Sequence, residues 1–123
     1  MTLTSFNVDN FVTLRLTPTN YPLWREQFFT LPKIQKLVGH LTNEDPTPTK
    51  YTTPNPNNST NAKNFIPKLT DDFIVWRKSN RLLRGWIIET LTEEALGLVV
   101  RLDTAHAVWE TLKDAYVQDS QEH

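Results

Sequence analysis

A chain of 123 residues suits one domain with a single modest core, and four Trp, six Phe and three Tyr supply large side chains to fill it. Thirteen basic against fourteen acidic residues leave the charge near zero, which argues against a dedicated nucleic-acid or membrane-surface protein while allowing a local patch. The absence of Cys excludes disulfides, thiol catalysis and Cys-based zinc sites.

The amino terminus, MTLTSFNVDN, lacks the basic-then-apolar pattern of a secretory signal, and no apolar run approaches the ~20 residues of a membrane span. The glycosylation sequons at Asn57 and Asn58 therefore carry little weight, and a soluble cytoplasmic protein is expected. FVTLRL, Phe11 to Leu16, alternates and predicts an extended arm or one side of a small hairpin. Pro18 breaks that pattern. Asn20 is the expected N-cap of a helix running to about Leu31, with Pro22 in its first turn, where a missing N–H costs little. Leu23, Trp24, Gln27, Phe28 and Leu31 share one side of it. Pro32 should end or kink this helix, and KIQKLVGHL should form a short second one stopped by Gly39.

The stretch from Asn43 to Lys68 is rich in Pro, Asn and Thr and poor in aliphatics, so it buries too little surface to offset the entropy of ordering. It predicts a long flexible loop, or alternatively a partner-binding one, with Phe65 and Ile66 anchoring its far end. Thr70 then caps the longest helix, TDDFIVWRKSNRLLRGWIIETL, with Asp71 and Asp72 at the positive end of the dipole. Phe73, Trp76, Leu83, Trp86, Ile87 and Leu91 form its apolar band, with Ser79 and Asn80 in or beside it. Arg77, Arg81 and Arg84 are expected on the opposite side, and Gly85 should weaken the middle. TEEALGLVVRL follows as a short helix capped by Thr92, with Glu93 and Glu94 in its first turn.

LDTAHAVWETLKDAY closes the chain. Its Asp-Thr-Ala triplet resembles the carboxylate turn of a retroviral-type aspartic protease, a chemistry that needs two carboxylates sharing a proton. The residues that follow decide against it. Ala105, Val108, Trp109, Leu112, Ala115 and Tyr116 recur at helical spacing, which makes Asp103 or Thr104 an N-cap. The sum is an all-α fold, a compact bundle of about five helices with an extended N-terminal arm. The expected division of residues 1–123 is an arm over 1–19, first helices over 20–42, the loop over 43–69, a three-helix part over 70–117 and a tail over 118–123. Trp76, Trp86 and Trp109 should dominate the core.

Chemistry is sparse. His40, His106 and His123 lack metal-ligand spacing, the glycines are isolated, and no serine sits in a nucleophile-elbow context. Glu93 and Glu94 are adjacent and diverge on a helix. No catalytic, cofactor or metal residue is assigned, and an enzyme or a small-molecule binder is not expected. Arg77, Arg81 and Arg84, with Lys78 nearby, read first as a solvated face; contact with RNA phosphates would be weak and salt-sensitive, since no aromatic residue is evidently interleaved to stack bases. Trp24, Trp76, Trp86 and Trp109 read as interior packing, with one or two of them reaching a surface groove.

Four segments in order resemble the N-terminal, capsid-type region of the Gag polyprotein of Copia-type LTR retrotransposons, especially those of plants. LRLTPTNYPLWREQF matches the family's opening at Leu16, Asn20, Tyr21 and Trp24. A variable, Pro-bearing spacer follows. WRKSNRLLRGWIIETLTEEAL matches at Trp76, Trp86, Ile87, Leu91 and Glu94. VVRLDTAHAVWETLKDAY matches at Thr104, Ala105, Trp109, Leu112 and Tyr116. The resemblance spans roughly residues 11–117 and implies a helical domain whose copies assemble into a virus-like particle around RNA, with no catalysis and no membrane partner.

Departures are visible too. Pro18 replaces the family's usual Gly, Ala107 stands where Glu often completes a capping box, and no zinc knuckle follows. The chain ends at SQEH, where family members continue into further helices, which suggests a truncated element or a remnant adopted by its host. The leading expectation is self-assembly. The alternatives are a host-adopted helical adaptor for another protein, and weak RNA binding through the arginine face.

Overall fold

Three threonines set the starts of three helices. Thr70 Oγ1 accepts from Phe73 N at 3.1 Å, Thr92 Oγ1 from Ala95 N at 3.5 Å, and Thr104 Oγ1 from Ala107 N at 3.1 Å. Each satisfies a first-turn N–H that the helix cannot bond internally. The computed structural model, which describes residues 12–53 and 65–121, has α1 over Tyr21–Ile34, α2 over Val38–Thr42, α3 over Asp71–Glu89, α4 over Glu93–Val99 and α5 over Ala105–Gln121. The fold is an all-α bundle, as expected. The start of the arm, the middle of the loop (54–64) and the last two residues lie outside the described residues.

Helix α5 is the hub, because α1, α2, α3 and α4 all pack on it. Its Ala105, Val108, Trp109, Leu112 and Tyr116 are buried, whereas Ala115 is exposed, one position off the inner face. The helix runs on to Gln121, past the expected end at 117. Trp24 of α1 is fully buried against it. The Trp24 ring lies 5.5 Å from Trp109 and 5.3 Å from Phe28, with Tyr21 at 6.0 Å. Burying such rings is the largest favourable term in the core, and their tilted contacts add ~0.5–1.5 kcal/mol per pair. The core tryptophans are therefore Trp24, Trp86 and Trp109; Trp76 stands at the edge, only half-buried.

Several boundaries differ from the sequence expectation. Helix α1 continues through Pro32, which is buried, and ends two residues later. A proline this close to the C-terminus removes one hydrogen bond without breaking the last turn. The helix closes when Lys36 takes a left-handed φ of 59°, Leu37 N bonds Pro32 O at 2.8 Å and Lys36 N bonds Lys33 O at 3.2 Å. That pair of bonds is a Schellman closure. Leu23 is exposed rather than facing the core, and Gln27 serves the arm. Gly39 does not stop α2. It sits inside the helix, where a Cβ would lie 2.9 Å from Asp45 Oδ2, and the left-handed stop is Asn43 at φ 66°. Gly39 is there for close approach of the returning chain. Helix α3 ends at Glu89, two residues before Leu91.

The arm is extended, with Val12 and Leu16 buried and Thr13 and Arg15 exposed, the alternation its sequence shows. Its described residues form no hairpin. Gln27 Oε1 accepts from Thr13 N at 2.9 Å and Leu14 N at 3.0 Å, and Leu16 makes a lone parallel bridge to Leu91. Asn20 does not cap α1 with its side chain; its Oδ1 accepts from Thr17 N at 2.8 Å and its Nδ2 donates to Arg15 O at 2.9 Å. Those bonds hold the turn that Pro18 enters.

The described ends of the long loop are fixed to the body. Tyr51 pairs antiparallel with Leu69, Thr52 N donates to Lys68 O at 2.8 Å, and Thr70 N donates to Lys50 O at 3.0 Å. Thr70 Oγ1 adds a bond to Thr49 O at 2.6 Å. Phe65 is half-buried, but Ile66 is exposed and does not anchor.

Two stability outcomes follow. Thr90 Oγ1 accepts the Trp24 indole N–H at 3.0 Å inside the core. Thr90→Val leaves that N–H buried without a partner and should lower urea-unfolding stability by about 1–3 kcal/mol. Gly85 lies within α3 with nothing within 4 Å of a Cβ position. Gly85→Ala should therefore raise stability by about 0.5–1 kcal/mol in the same assay.

Candidate functional site

One stripe of α3, recurring every three or four residues, lines a cleft of about 700 Å³ with Phe73, Trp76, Arg77, Asn80, Arg81 and Arg84. Lys50, from the base of the loop, and Asp103 and Thr104, from the turn before α5, complete its walls. Arg77, Arg81 and Arg84 therefore share the side of α3 that holds two aromatic rings. They do not lie opposite the apolar band. Lys78 is exposed and lies off the cleft. The rings that the sequence did not reveal beside the arginines are Phe73 and Trp76, one turn away.

Lys50, Arg77 and Arg84 are held by rings or carbonyls. Lys50 Nζ lies 5.4 Å from the Tyr51 ring centroid and 5.6 Å from that of Phe73, and Arg77 Cζ lies 5.5 Å from Phe73. Such contacts are worth ~0.5–1 kcal/mol at exposed sites and orient a cation without cancelling its charge. Arg84 is a clasp: its Nε donates to Leu102 O at 2.6 Å and its Nη2 to Val100 O at 3.1 Å, closing the end of α4. The ion pairs among the described residues, Arg25 with Glu26 and Lys113 with Glu110, lie elsewhere. Among the described residues none of Lys50, Arg77, Arg81 and Arg84 makes one.

Behind the cleft sits a buried polar joint. Asn80 Oδ1 accepts from Ala105 N at 3.1 Å, and Asn80 Nδ2 lies 3.3 Å from His40 Nδ1, so the amide links α3 to the start of α5 and to α2. The His40 ring packs on Trp76 at 5.7 Å, and Trp76 Nε1 donates to Asp45 O at 2.8 Å. His106 Nδ1 donates to Leu41 O at 2.7 Å, a second tie between α2 and α5. Burial holds the His40 imidazole below its ordinary range, only partly opposed by Asp45. A neutral ring, with Nδ1 accepting from Asn80, fits that environment. The sequence hint for this joint was a polar residue in the apolar band of α3; nothing marked Lys50 or His40.

The family-motif residues separate into two groups. Leu16, Tyr21, Trp24, Trp86, Leu91, Trp109, Leu112 and Tyr116 meet in one core cluster. Asn20 and Thr104 hold a turn and a helix start, and Trp76 faces the cleft. Asp103 is exposed on the cleft wall, and Thr104 is the cap. Glu93 and Glu94 sit exposed in the first turn of α4. Among the described residues no three His, Asp or Glu side chains gather to hold a metal, and no helix is long and apolar enough to cross a membrane.

No protein-family model and no solved structure matches the chain. It is 28% identical over 117 residues to the retrovirus-related Pol polyprotein from transposon RE2 of Arabidopsis thaliana. It is 26% identical over 117 residues to the corresponding polyprotein from transposon RE1 of the same plant. These relatives support an origin in a Copia-type retrotransposon. Each match takes in 95% of this chain but 7% of the polyprotein, so the chain spans a small part of the curated relatives it matches.

The His40 environment has a pH signature. A base whose folded-state affinity for protons is lowered binds more protons unfolded, so stability rises with pH in that window. The contribution is complete above the ordinary imidazole value, 6.5, and is lost as pH falls through it toward the lower folded value. Urea midpoints measured from pH 8 down to about pH 5 should fall for the wild type. His40→Gln should flatten that portion of the curve.

Proposed function

We propose that this chain is a structural domain of Gag type from a Copia-type retrotransposon, and that it associates with copies of itself in building a virus-like particle. The observation that carries this reading is large apolar residues left outside a core that is already closed. Val75 on α3 is 67% exposed with Ile74 beside it, and Leu98 on α4 is 48% exposed with Val100 just beyond. The relationship to transposon polyproteins and the resemblance of the four ordered segments to the Gag region support the reading. So does a rigid helical block whose described residues include no converging acid, base and nucleophile.

Energetics set the strength of such contacts. Burying a large apolar side chain contributes ~1.5–3 kcal/mol. Two residues from each of two copies yield roughly 6–12 kcal/mol, against an association cost of ~4–15 kcal/mol. Contacts of this size are weak singly and become strong only when one copy makes several at once, which suits a shell.

Sedimentation or light scattering of the purified chain should show an average mass that rises with protein concentration and changes little with salt. Val75→Asp or Leu98→Asp should shift it back to monomer with the helical content unchanged. A wild-type chain that stays monomeric at the highest attainable concentration would refute the reading.

A further inference from the structure

The cleft on α3 gathers cations that the fold leaves uncompensated. A protein of net charge −1 brings Lys50, Arg77, Arg81 and Arg84 to one concavity, with no ion pair to any of them among the described residues. Asp103 is the acid among the lining residues. Like charges held together cost energy unless solvent or an anion compensates them. Thr47 and Thr104 share the same walls. Thr104 is engaged as the cap of α5, whereas Thr47 is exposed.

The sequence around Thr47 supplies the anion. Thr-Pro occurs three times in the chain, starting at Thr17, Thr47 and Thr53. Proline-directed protein kinases select this pair, because proline brings no N–H into a groove that offers it no acceptor. The cyclin-dependent class also selects a cation at the third position after the acceptor, a charge pattern that tells substrates apart. Lys50 stands there after Thr47, whereas Asn20 stands there after Thr17 and Pro56 after Thr53. A kinase groove also needs an accessible, extended chain. Residues 46–50 belong to no helix or bridge, so entering such a groove opens little structure. Tethers on either side keep Thr47 at the cleft in the resting fold. Trp76 Nε1 donates to Asp45 O at 2.8 Å, and Thr70 Oγ1 donates to Thr49 O at 2.6 Å.

We propose that Thr47 is the acceptor of a proline-directed kinase and that its phosphate docks on Arg77 and Arg81 in the cleft. Thr47 Oγ1 attacks the γ-phosphorus of the kinase's ATP. An Oγ1–P bond forms while the bond from that phosphorus to the β–γ bridging oxygen breaks. ADP leaves, and the hydroxyl proton passes to the kinase's catalytic base. The product carries about −1.5 to −2 charge at pH 7. Arg77 and Arg81 are neighbours on one face of α3, so two guanidinium forks can meet one phosphate. Arg84 already clasps two carbonyls and adds only its field. Docking replaces repulsion by charge-assisted bonds and fastens the base of the loop to α3. The proposal is independent of self-assembly, because one copy carries both the acceptor and the cations.

The test treats the full chain with ATP, Mg2+ and a cyclin-dependent kinase whose activity is verified on a standard substrate. Mass spectrometry should place a single phosphoryl group on Thr47, and Thr47→Val should stay unmodified. Phosphorus NMR should then show the second phosphate pKa, ordinarily about 6, lowered to about 5 or below in the folded chain. The pair Arg77→Gln and Arg81→Gln should return it to about 6, as should unfolding the wild type in urea. Lys78→Gln, off the cleft, should leave it lowered. Circular dichroism of each variant verifies the fold. A chain that the active kinase leaves unmodified overturns the proposal, as does modification confined to Thr17 or Thr53. A phosphate that titrates at about 6 on the folded wild type also overturns it, since the group then stands in solvent. So does a lowered value that survives the loss of both arginines.

Discussion

The fold hangs on the hydroxyl of one residue, Thr90, buried where α3 ends. Its Oγ1 accepts the Trp24 indole N–H at 3.0 Å and donates to Ile87 O at 2.7 Å, while its own carbonyl receives Leu16 N at 2.8 Å. Helix α1, the end of α3 and the arm thus meet at one point. The central ring of the aromatic cluster, Trp24, enters the core without leaving its N–H stranded. An indole is chosen for its area, but its polar atom dictates where it can be buried. Without the hydroxyl, the apolar fit between Trp24, Phe28 and Trp109 would carry a penalty of about the size of one good packing contact.

Helix α3 carries a second buried polar residue nearer its start. Asn80 faces α2 and α5, as Thr90 faces α1 and the arm. Apolar surfaces tolerate sliding, whereas a satisfied amide or hydroxyl tolerates very little. With one such residue at the midpoint of α3 and the other at its C-cap, the axial position of the helix is set. So is the outward stripe that Arg77, Arg81 and Arg84 occupy. The geometry of the charged cleft is in this sense inherited from the interior.

Local chemistry made much of the fold legible. Thr70, Thr92 and Thr104 announce three helices because a cap acts on its own first turn. The inner face of α5 shows in its spacing, with Ala115 alone misplaced by one position. Long-range facts did not show. Trp76 and Trp24 look alike in a periodic pattern, and only the packing of other helices decides that Trp24 is enclosed and Trp76 stands at a margin. Asn43 rather than Gly39 stops α2 because Asp45 returns across Gly39, a contact invisible in spacing. The cleft was half legible. Its arginines could be named, but their side of the helix was misjudged, because they border the apolar band. Lys50 comes from 27 residues before Arg77, across a loop whose base pairing no periodicity announces.

That base pairing has an evolutionary corollary. Because residues 50–52 run beside 68–70, the chain departs from the body and rejoins it through neighbouring extended segments. Lengthening a connection between such fixed ends costs only ~0.6 kcal/mol per doubling. The intervening sequence can drift, grow or accept foreign segments while the helical block keeps its shape. Variation would accumulate there first, and an inserted tag or epitope would be carried there with little strain on the rest.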